Sequence, residues 1–261
     1  MRVMAYNIYE GGFRAAGDRR HALLDVIRNV DPDMLGLCEC TEFDDDNESR
    51  LKWFCHMLGM HGVMNPSNSE HHTALLWKPH MRVRATLCAI GNMYHGFCRV
   101  RVNTTNFGDI TVLMTHLHPF SSCLRLAEAQ IVASRALGTG EAILMGDLNS
   151  VSPTDARLDR NRMFPALRAR LAGPSGDIDT TPIQYLANVG FVDLLAQHSA
   201  PTYPTALQGK RDKYGVGLRS DYIFASQRVA SSCTQTGVIN SDSAECASDH
   251  LPVFAEIGID D

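Results

Sequence analysis

Short apolar runs that end on a polar residue, or open from one, recur along this chain and constrain its fold more than any other feature. Thr111-Val112-Leu113-Met114-Thr115 ends at His116, and Ala142-Ile143-Leu144-Met145-Gly146 runs into Asp147 and Asn149. Asn7 lies near the end of the first such run, and Glu39 sits inside Leu35-Gly36-Leu37-Cys38-Glu39-Cys40. Asp221 opens Tyr222-Ile223-Phe224, and Asp249-His250 precedes Leu251-Pro252-Val253-Phe254. Runs this short, bounded by turn residues, read as buried strands rather than helices. A strand is rigid, so whatever stands at its end is presented at a fixed place on the sheet edge.

Other strand and helix signals are mixed along the whole length. Residues 2–8 and Met34–Cys40 read as strands, separated by a helix over Asp18–Val30. Asp18 is its expected N-cap, and Leu23, Leu24, Val26, Ile27 and Val30 form its apolar face. A second helix, Arg50–Leu58, stops at Gly59. Strands follow at Thr73–Trp77, Arg82–Ile90, Cys98–Thr104 and Ile110–His116, then a helix at Leu124–Ala136. Ala142–Met145 is a strand, Asn161–Leu171 and Thr181–Val189 are helices, and Phe191–Leu194 is a short helical or strand-like edge. Ser220–Ala225 and Leu251–Ile257 complete the strands. Loops are expected at 61–72 and 91–97, a short surface loop from Ala172 to Asp179, and a long loop from Ser199 to Gly217. No repeat or low-complexity linker divides the chain, so residues 1–261 read as a single layered α/β domain.

Composition narrows the class. Hydrophobic residues make up 44% and charged residues 20%, an ordinary globular balance. No run of about 18 apolar residues offers a membrane span. The N-terminus enters a strand without a secretory pattern, so a cytoplasmic location is expected. The eight cysteines lack the dense spacing of a disulfide scaffold. On a continuous strand Cys38 and Cys40 share the face opposite Glu39, and no second pair completes a zinc site, so free core thiols are expected. The net charge of −5 disfavours sequence-independent wrapping of nucleic acid, although a bound metal ion adds local positive charge.

Singly, each strand-end polar residue has an ordinary explanation as a cap, turn or structural histidine. Glu39 is harder to dismiss, because a buried carboxylate needs a counter-charge or a metal. Together, and in this order, the segments Tyr6-Asn7-Ile8, Leu37-Cys38-Glu39, Thr115-His116, Gly146-Asp147-Leu148-Asn149, Ser220-Asp221-Tyr222-Ile223-Phe224 and Ser248-Asp249-His250-Leu251-Pro252 resemble the endonuclease/exonuclease/phosphatase superfamily, with its deoxyribonuclease-I-like fold. The resemblance runs from residue 6 to residue 252. It implies an α/β four-layer sandwich, two mixed β-sheets packed face to face with helices on the outer faces, and an active site at one edge.

The resemblance also implies roles. Phosphate esters resist attack because their oxygens are already negative, so a catalyst must neutralise charge and orient water. Glu39, with Asn7 offering an amide oxygen beside it and Asp249 adding a carboxylate, is the expected site for Mg²⁺ or Mn²⁺, a hard cation that takes oxygen ligands. Asp147 is the candidate to orient or deprotonate the attacking water, and Asn149 to donate to phosphoryl oxygens. His250 is expected to bind phosphate with Asp221 fixing its tautomer. His116 matches a histidine of the deoxyribonuclease and sphingomyelinase branches, which contacts phosphate or assists the leaving group, and both roles fit here. Arg219 and Arg211, in a basic cluster with Lys210 and Lys213, are candidate substrate contacts, as are Arg99 and His72; solvated or structural roles compete for each.

The function expected is a divalent-metal-dependent hydrolase of a phosphate-ester substrate, with a small or lipid-like phosphate preferred over bulk nucleic acid. Competing readings are a metal-dependent endo- or exonuclease, and an enzyme of a specialised biosynthetic pathway acting on a phosphorylated or other intermediate. The least favoured is a non-catalytic binding module, since the full polar set is retained.

Overall fold

The computed structural model describes residues 1–138, 140–155, 158–198 and 200–259. One sheet is built from β1 (Arg2–Asn7), β2 (Met34–Cys38), β3 (His61–Asn65), β4 (Thr73–Trp77), β11 (Cys233–Val238) and β12 (Val253–Ile257). The other is built from β5 (Val83–Ala89), β6 (Phe97–Thr104), β7 (Gly108–His116), β8 (Ala142–Asp147), β9 (Phe191–Asp193) and β10 (Asp221–Ser226). Their strand orders are β11-β12-β1-β2-β4-β3 and β5-β6-β7-β8-β10-β9. Each sheet is mixed. The central pairs β1/β2 and β7/β8 are parallel and the remaining neighbours antiparallel.

Strand alternation sorts the side chains into layers. Val3 and Ala5 of β1, Val112 and Met114 of β7, Ile143 and Met145 of β8, and Ile223 and Ala225 of β10 pack between the sheets. Gly36 of β2 permits the close approach: a Cβ there would stand 2.3 Å from the sulfur of Met114. Met4 and Tyr6 turn outward and meet α1 (Arg20–Val30), α2 (Asp45–Leu58) and the later α7 (Asp242–Ala247). On the other flank, Leu113, Leu144 and Phe224 pack against α3 (Ser122–Leu137) and α5 (Thr181–Asn188). The result is the four-layer sandwich. Each fully buried leucine or isoleucine of α1 contributes roughly 2 kcal/mol to holding its layer. Among the described residues, no helix is long and apolar enough to cross a membrane.

Several boundaries differ from the sequence reading for local reasons. Asp18 is not the N-cap of α1; it accepts from the backbone N–H of Arg20 at 3.1 Å, and the helix starts there with Arg19 as a cap lacking a side-chain bond. The regular part of α2 begins only after Asp46, Asn47 and Glu48, all left-handed. Residues 61–65, expected to be loop, form β3. The helix expected from Asn161 begins at Pro165 as α4 (Pro165–Leu171), because proline suits the first turn. The loop expected from Ser199, which itself lies outside the described residues, carries a short helix α6 (Lys210–Tyr214) and sits near α4. Val151, Leu167, Leu171, Tyr203 and Leu218 form a small apolar cluster there, beside one edge of the sandwich.

Cys38 and Cys40 are free and buried, but they do not share a face. Cys38 points between the sheets and Cys40 joins the helix-side cluster. The strand ends at Cys38, and Glu39 adopts φ 57°, which breaks the alternation assumed from the sequence.

Candidate active site

The inward-facing rows of both sheets end in polar residues at the same edge. Val3-Ala5-Asn7, Val112-Met114-His116 and Ile143-Met145-Asp147 each follow one face of a strand. Parallel register sets His116 beside Asp147, and antiparallel register sets Asp147 beside Asp221. Asn7 pairs with Cys38 in the facing sheet, one residue before Glu39. The segment before β12 is tied in by Ser248, whose hydroxyl donates to the Asn7 carbonyl at 2.6 Å. That bond brings Asp249 and His250 to the same edge.

Asp147 stands at the centre. Its Oδ1 accepts the backbone N–H of Asn149 at 2.9 Å, and its Oδ2 accepts Asn7 Nδ2 at 3.1 Å. His116 Nε2 lies 3.4 Å from that same Oδ2 and His250 Nε2 3.7 Å. Burial pushes the Asp147 carboxyl up to about 7, while His250 pulls against it. His250 Nδ1 faces Asp221 Oδ2 at 2.8 Å. Burial disfavours the charged ring, but Asp221 and Asp147 outweigh it and raise His250 to about 10. His250 is therefore an imidazolium at neutral pH.

His116 is held the other way. Burial, and then neighbouring His95, push it well below the ordinary histidine range, so the ring is neutral. It stacks on His95 at 4.0 Å between centroids, with 9° between the planes. His95 is driven down to about 3, mainly by burial, and its Nδ1 shares a 2.6 Å hydrogen bond with Ser69. No local pattern in the sequence marks His95. It lies in the segment read as a loop, and only the tertiary fold brings it onto His116.

Glu39 Oε1 accepts from Asn7 Nδ2 at 3.1 Å, and its Oε2 accepts the Glu10 backbone N–H at 3.3 Å. Asn7 thus bridges Glu39 and Asp147 with its amino group, while its oxygen accepts the Tyr9 N–H at 3.1 Å. The expected amide oxygen beside Glu39 is replaced by a donor, because two carboxylates flank the amide. Asp249 Oδ2 pairs with Lys210 Nζ at 2.5 Å, and its Oδ1 is buried without a partner. The Lys210 ammonium also lies 3.5 Å from the Tyr9 ring centre. Asn149, left-handed at φ 49°, donates to the Leu117 carbonyl at 3.0 Å and accepts from Arg170 at 3.2 Å. Gly146 accounts for the first position of that motif: at φ 139°, a Cβ would fall 1.8 Å from the Thr115 carbonyl oxygen.

One cavity of about 320 Å³ is lined by Glu39, His95, His116, Asp147, Asn149, Arg170, Lys210, Asp249 and His250, while Asn7 and Asp221 are buried and reach it only through Glu39, Asp147 and His250. Four expected substrate contacts are not brought there. Arg219 is 4% exposed and clamps Asp155 (2.7 Å) and Asp193 (2.8 Å), so its guanidinium is already satisfied. His72 is buried between the Ser67 N–H and Asp44. Arg99 turns to the helix side of its sheet and donates to the Arg135 carbonyl at 3.0 Å. Arg211 pairs with Glu245 at the surface. Of the basic cluster, Lys210 reaches the cavity, and Arg170 joins it from α4.

Two sheets gather carboxylates, an imidazolium and a neutral imidazole at one edge, a set able to neutralise phosphoryl charge and orient water as a phosphate-ester hydrolase must. The chain is a member of the endonuclease/exonuclease/phosphatase family, whose sequence profile matches residues 4–250. Solved structures share the fold at low identity. An AP endonuclease from Archaeoglobus fulgidus is 18% identical with a TM-score of 0.71, each chain being covered to 99%. Truncated TDP2 from Caenorhabditis elegans is 16% identical with a TM-score of 0.67, covering 98% of this chain and 96% of that one. The 3′ phosphatase NExo from Neisseria, bound to a product DNA hairpin, is 17% identical with a TM-score of 0.69, covering 98% and 99%. No curated protein matches the sequence.

Proposed function

We propose that this metal-dependent phosphoesterase hydrolyses a phosphate group presented end-on to its cavity, as in a compact ester or a chain terminus, rather than one in the middle of a duplex. The observation that carries the reading is the shape of the site. The hydrolytic groups lie at the sandwich edge, and Leu167, Leu171, Tyr203, Tyr214 and Leu218 wall the same cavity from the side. A substrate entering there meets this apolar wall beside the hydrolytic groups, in a cavity that is partly open to solvent.

Glu39 and Asp249 suit a hard divalent cation. Both are carboxylates on the same cavity, and the buried Oδ1 of Asp249 lacks a partner. When bound, the ion supplies charge neutralisation for the phosphoryl oxygens. The chain's own groups do the rest. Asp147, in its carboxylate form, orients water and takes its proton at Oδ2. That form gains as pH rises through about 7. The His250 imidazolium faces a phosphoryl oxygen from Nε2, with Asp221 fixing the proton on Nδ1. Neutral His116 donates a hydrogen bond from Nε2 without adding charge. Lys210 balances Asp249 and adds positive charge beside the phosphate.

A nuclease reading is favoured by one neighbour's own description, an AP endonuclease. Rates measured on a phosphomonoester, a 3′-phosphorylated oligonucleotide and an intact circular duplex separate the two. The proposal expects turnover of the first two and little nicking of the third. Preferential nicking of the circle overturns it.

A further inference from the structure

Two exposed aromatic rings stand at the mouth of the cavity, and the hydrolytic steps above do not use them. Phe120 is 61% exposed and Tyr94 is 38% exposed, and both line the cavity with His95, His116 and Arg170. Their centroids lie 6.2 Å apart with planes 84° from parallel, so one ring offers a face and the other an edge. A single exposed aromatic needs no explanation. These two are held in place.

The holding group is Glu128 of α3, itself 3% exposed. One carboxylate oxygen accepts the backbone N–H of Tyr94 at 2.6 Å, and the other accepts the backbone N–H of His118 at 2.6 Å. A single buried acid therefore clamps the two loops that carry the rings. His118 finishes the second loop: its Nδ1 accepts the N–H groups of Phe120 and Ser121, each at 3.1 Å. Its ring packs 4.8 Å from Tyr94. Arg170 links this shelf to the hydrolytic centre. It donates to the Pro119 carbonyl at 2.9 Å and to Asn149 at 3.2 Å, and its guanidinium lies 5.6 Å from the Phe120 ring centre. Burying a carboxylate is costly, and loops without such ties are mobile. Two rings carried on tied loops, beside an arginine, offer a partly preorganised seat for a flat partner.

We infer that this mouth is a subsite for a planar aromatic group attached to the phosphate, a nucleobase or an aryl ring, stacked on Phe120 and edged by Tyr94. The inference rests on the phosphoesterase reading and narrows its substrate class away from alkyl and lipid esters, which have no π-face to stack.

The test is equilibrium binding with Mg²⁺ present, by calorimetry and ligand-observed NMR, to the whole chain carrying Asp147→Asn so that the esters are not turned over. The probes are AMP, phenyl phosphate, ribose 5-phosphate and inorganic phosphate, and the proteins are this chain with Phe120 unchanged, with Phe120→Ala and with Phe120→Trp. The aromatic probes should bind tighter than the other two. Phe120→Ala should weaken them about 5- to 100-fold while leaving inorganic phosphate unchanged, and Phe120→Trp should restore them. AMP ahead of phenyl phosphate identifies a nucleobase, and the reverse order an aryl ring. Phosphate binding with no advantage for the aromatic probes, or with no effect of Phe120→Ala, overturns the subsite alone. Failure of every probe to bind, inorganic phosphate included, overturns the phosphoesterase reading and the subsite together.

Discussion

Replacing Asp221 by asparagine isolates the electrostatic part of the site. The variant keeps a polar partner near Nδ1 of His250 but removes the charge 2.8 Å away. The wild-type imidazole is raised from 6.5 to about 10 against the pull of burial, with Asp221 the largest favourable contribution. That interval corresponds to roughly 5 kcal/mol of preference for the charged ring. Loss of one close opposite charge should lower the His250 pKa by about one to three pH units, because Asp147 still acts on it. If the imidazolium stabilises phosphoryl charge, the alkaline limb of kcat/KM should move down by the same interval. Stability moves with it. A raised histidine stabilises the fold fully below about 6.5 and loses that contribution as pH rises through about 10, so the variant should lose it at lower pH than the wild type. The assay is kcat/KM on an activated aryl phosphate from pH 5 to pH 10.5, with His250→Ala and the double variant in parallel. The double variant should cost little more than His250→Ala alone. An unmoved alkaline limb, or strictly additive losses, refutes the coupling of these two residues.

Arg219→Met should cost about 3–5 kcal/mol in urea unfolding, since it strands Asp155 and Asp193, yet leave KM of the folded enzyme unchanged; a raised KM at normal stability would restore Arg219 as a substrate contact. Gly146→Ala should destabilise by at least about 3 kcal/mol, because the new methyl collides with the Thr115 carbonyl; a melting temperature equal to the wild type would contradict the tight crossing of β7 and β8. Lys210→Met should tighten Mg²⁺ binding at least about 5-fold by calorimetry, as the ammonium and the cation both seek Asp249. Unaltered affinity would mean the ammonium leaves when the metal arrives.

Much of this site is legible in the sequence because it follows from strand alternation. Asn7, His116 and Asp147 continue rows of small or aliphatic residues that face the inter-sheet core, and a polar residue at the end of such a row projects into the sandwich edge. The sheets were less completely legible at their margins. β3 and β11 lie at the two ends of one sheet. In His61-Gly62-Val63-Met64-Asn65 only the last two residues are buried, and in Cys233-Thr234-Gln235-Thr236-Gly237-Val238 none is, so neither carries a buried apolar run. The second layer of the site was not legible either. His95, Arg170 and Glu128 act through partners far along the chain, and no local spacing announces them. Charge type alone misplaced Arg219 and His72, because a buried cation or imidazole can serve a structural carboxylate as readily as a ligand.

Hydrolysis by this chain is expected to require a divalent metal held by Glu39. Its most direct measurement is the turnover of bis(p-nitrophenyl) phosphate and p-nitrophenyl phosphate in chelator, then after Mg²⁺ or Mn²⁺ is restored, for the wild type and Glu39→Gln. Expected are no turnover in chelator, recovery in the wild type on metal addition, and weak recovery in a folded Glu39→Gln protein whose metal affinity has fallen. Full turnover in chelator, or a Glu39→Gln variant that recovers like the wild type, would contradict it.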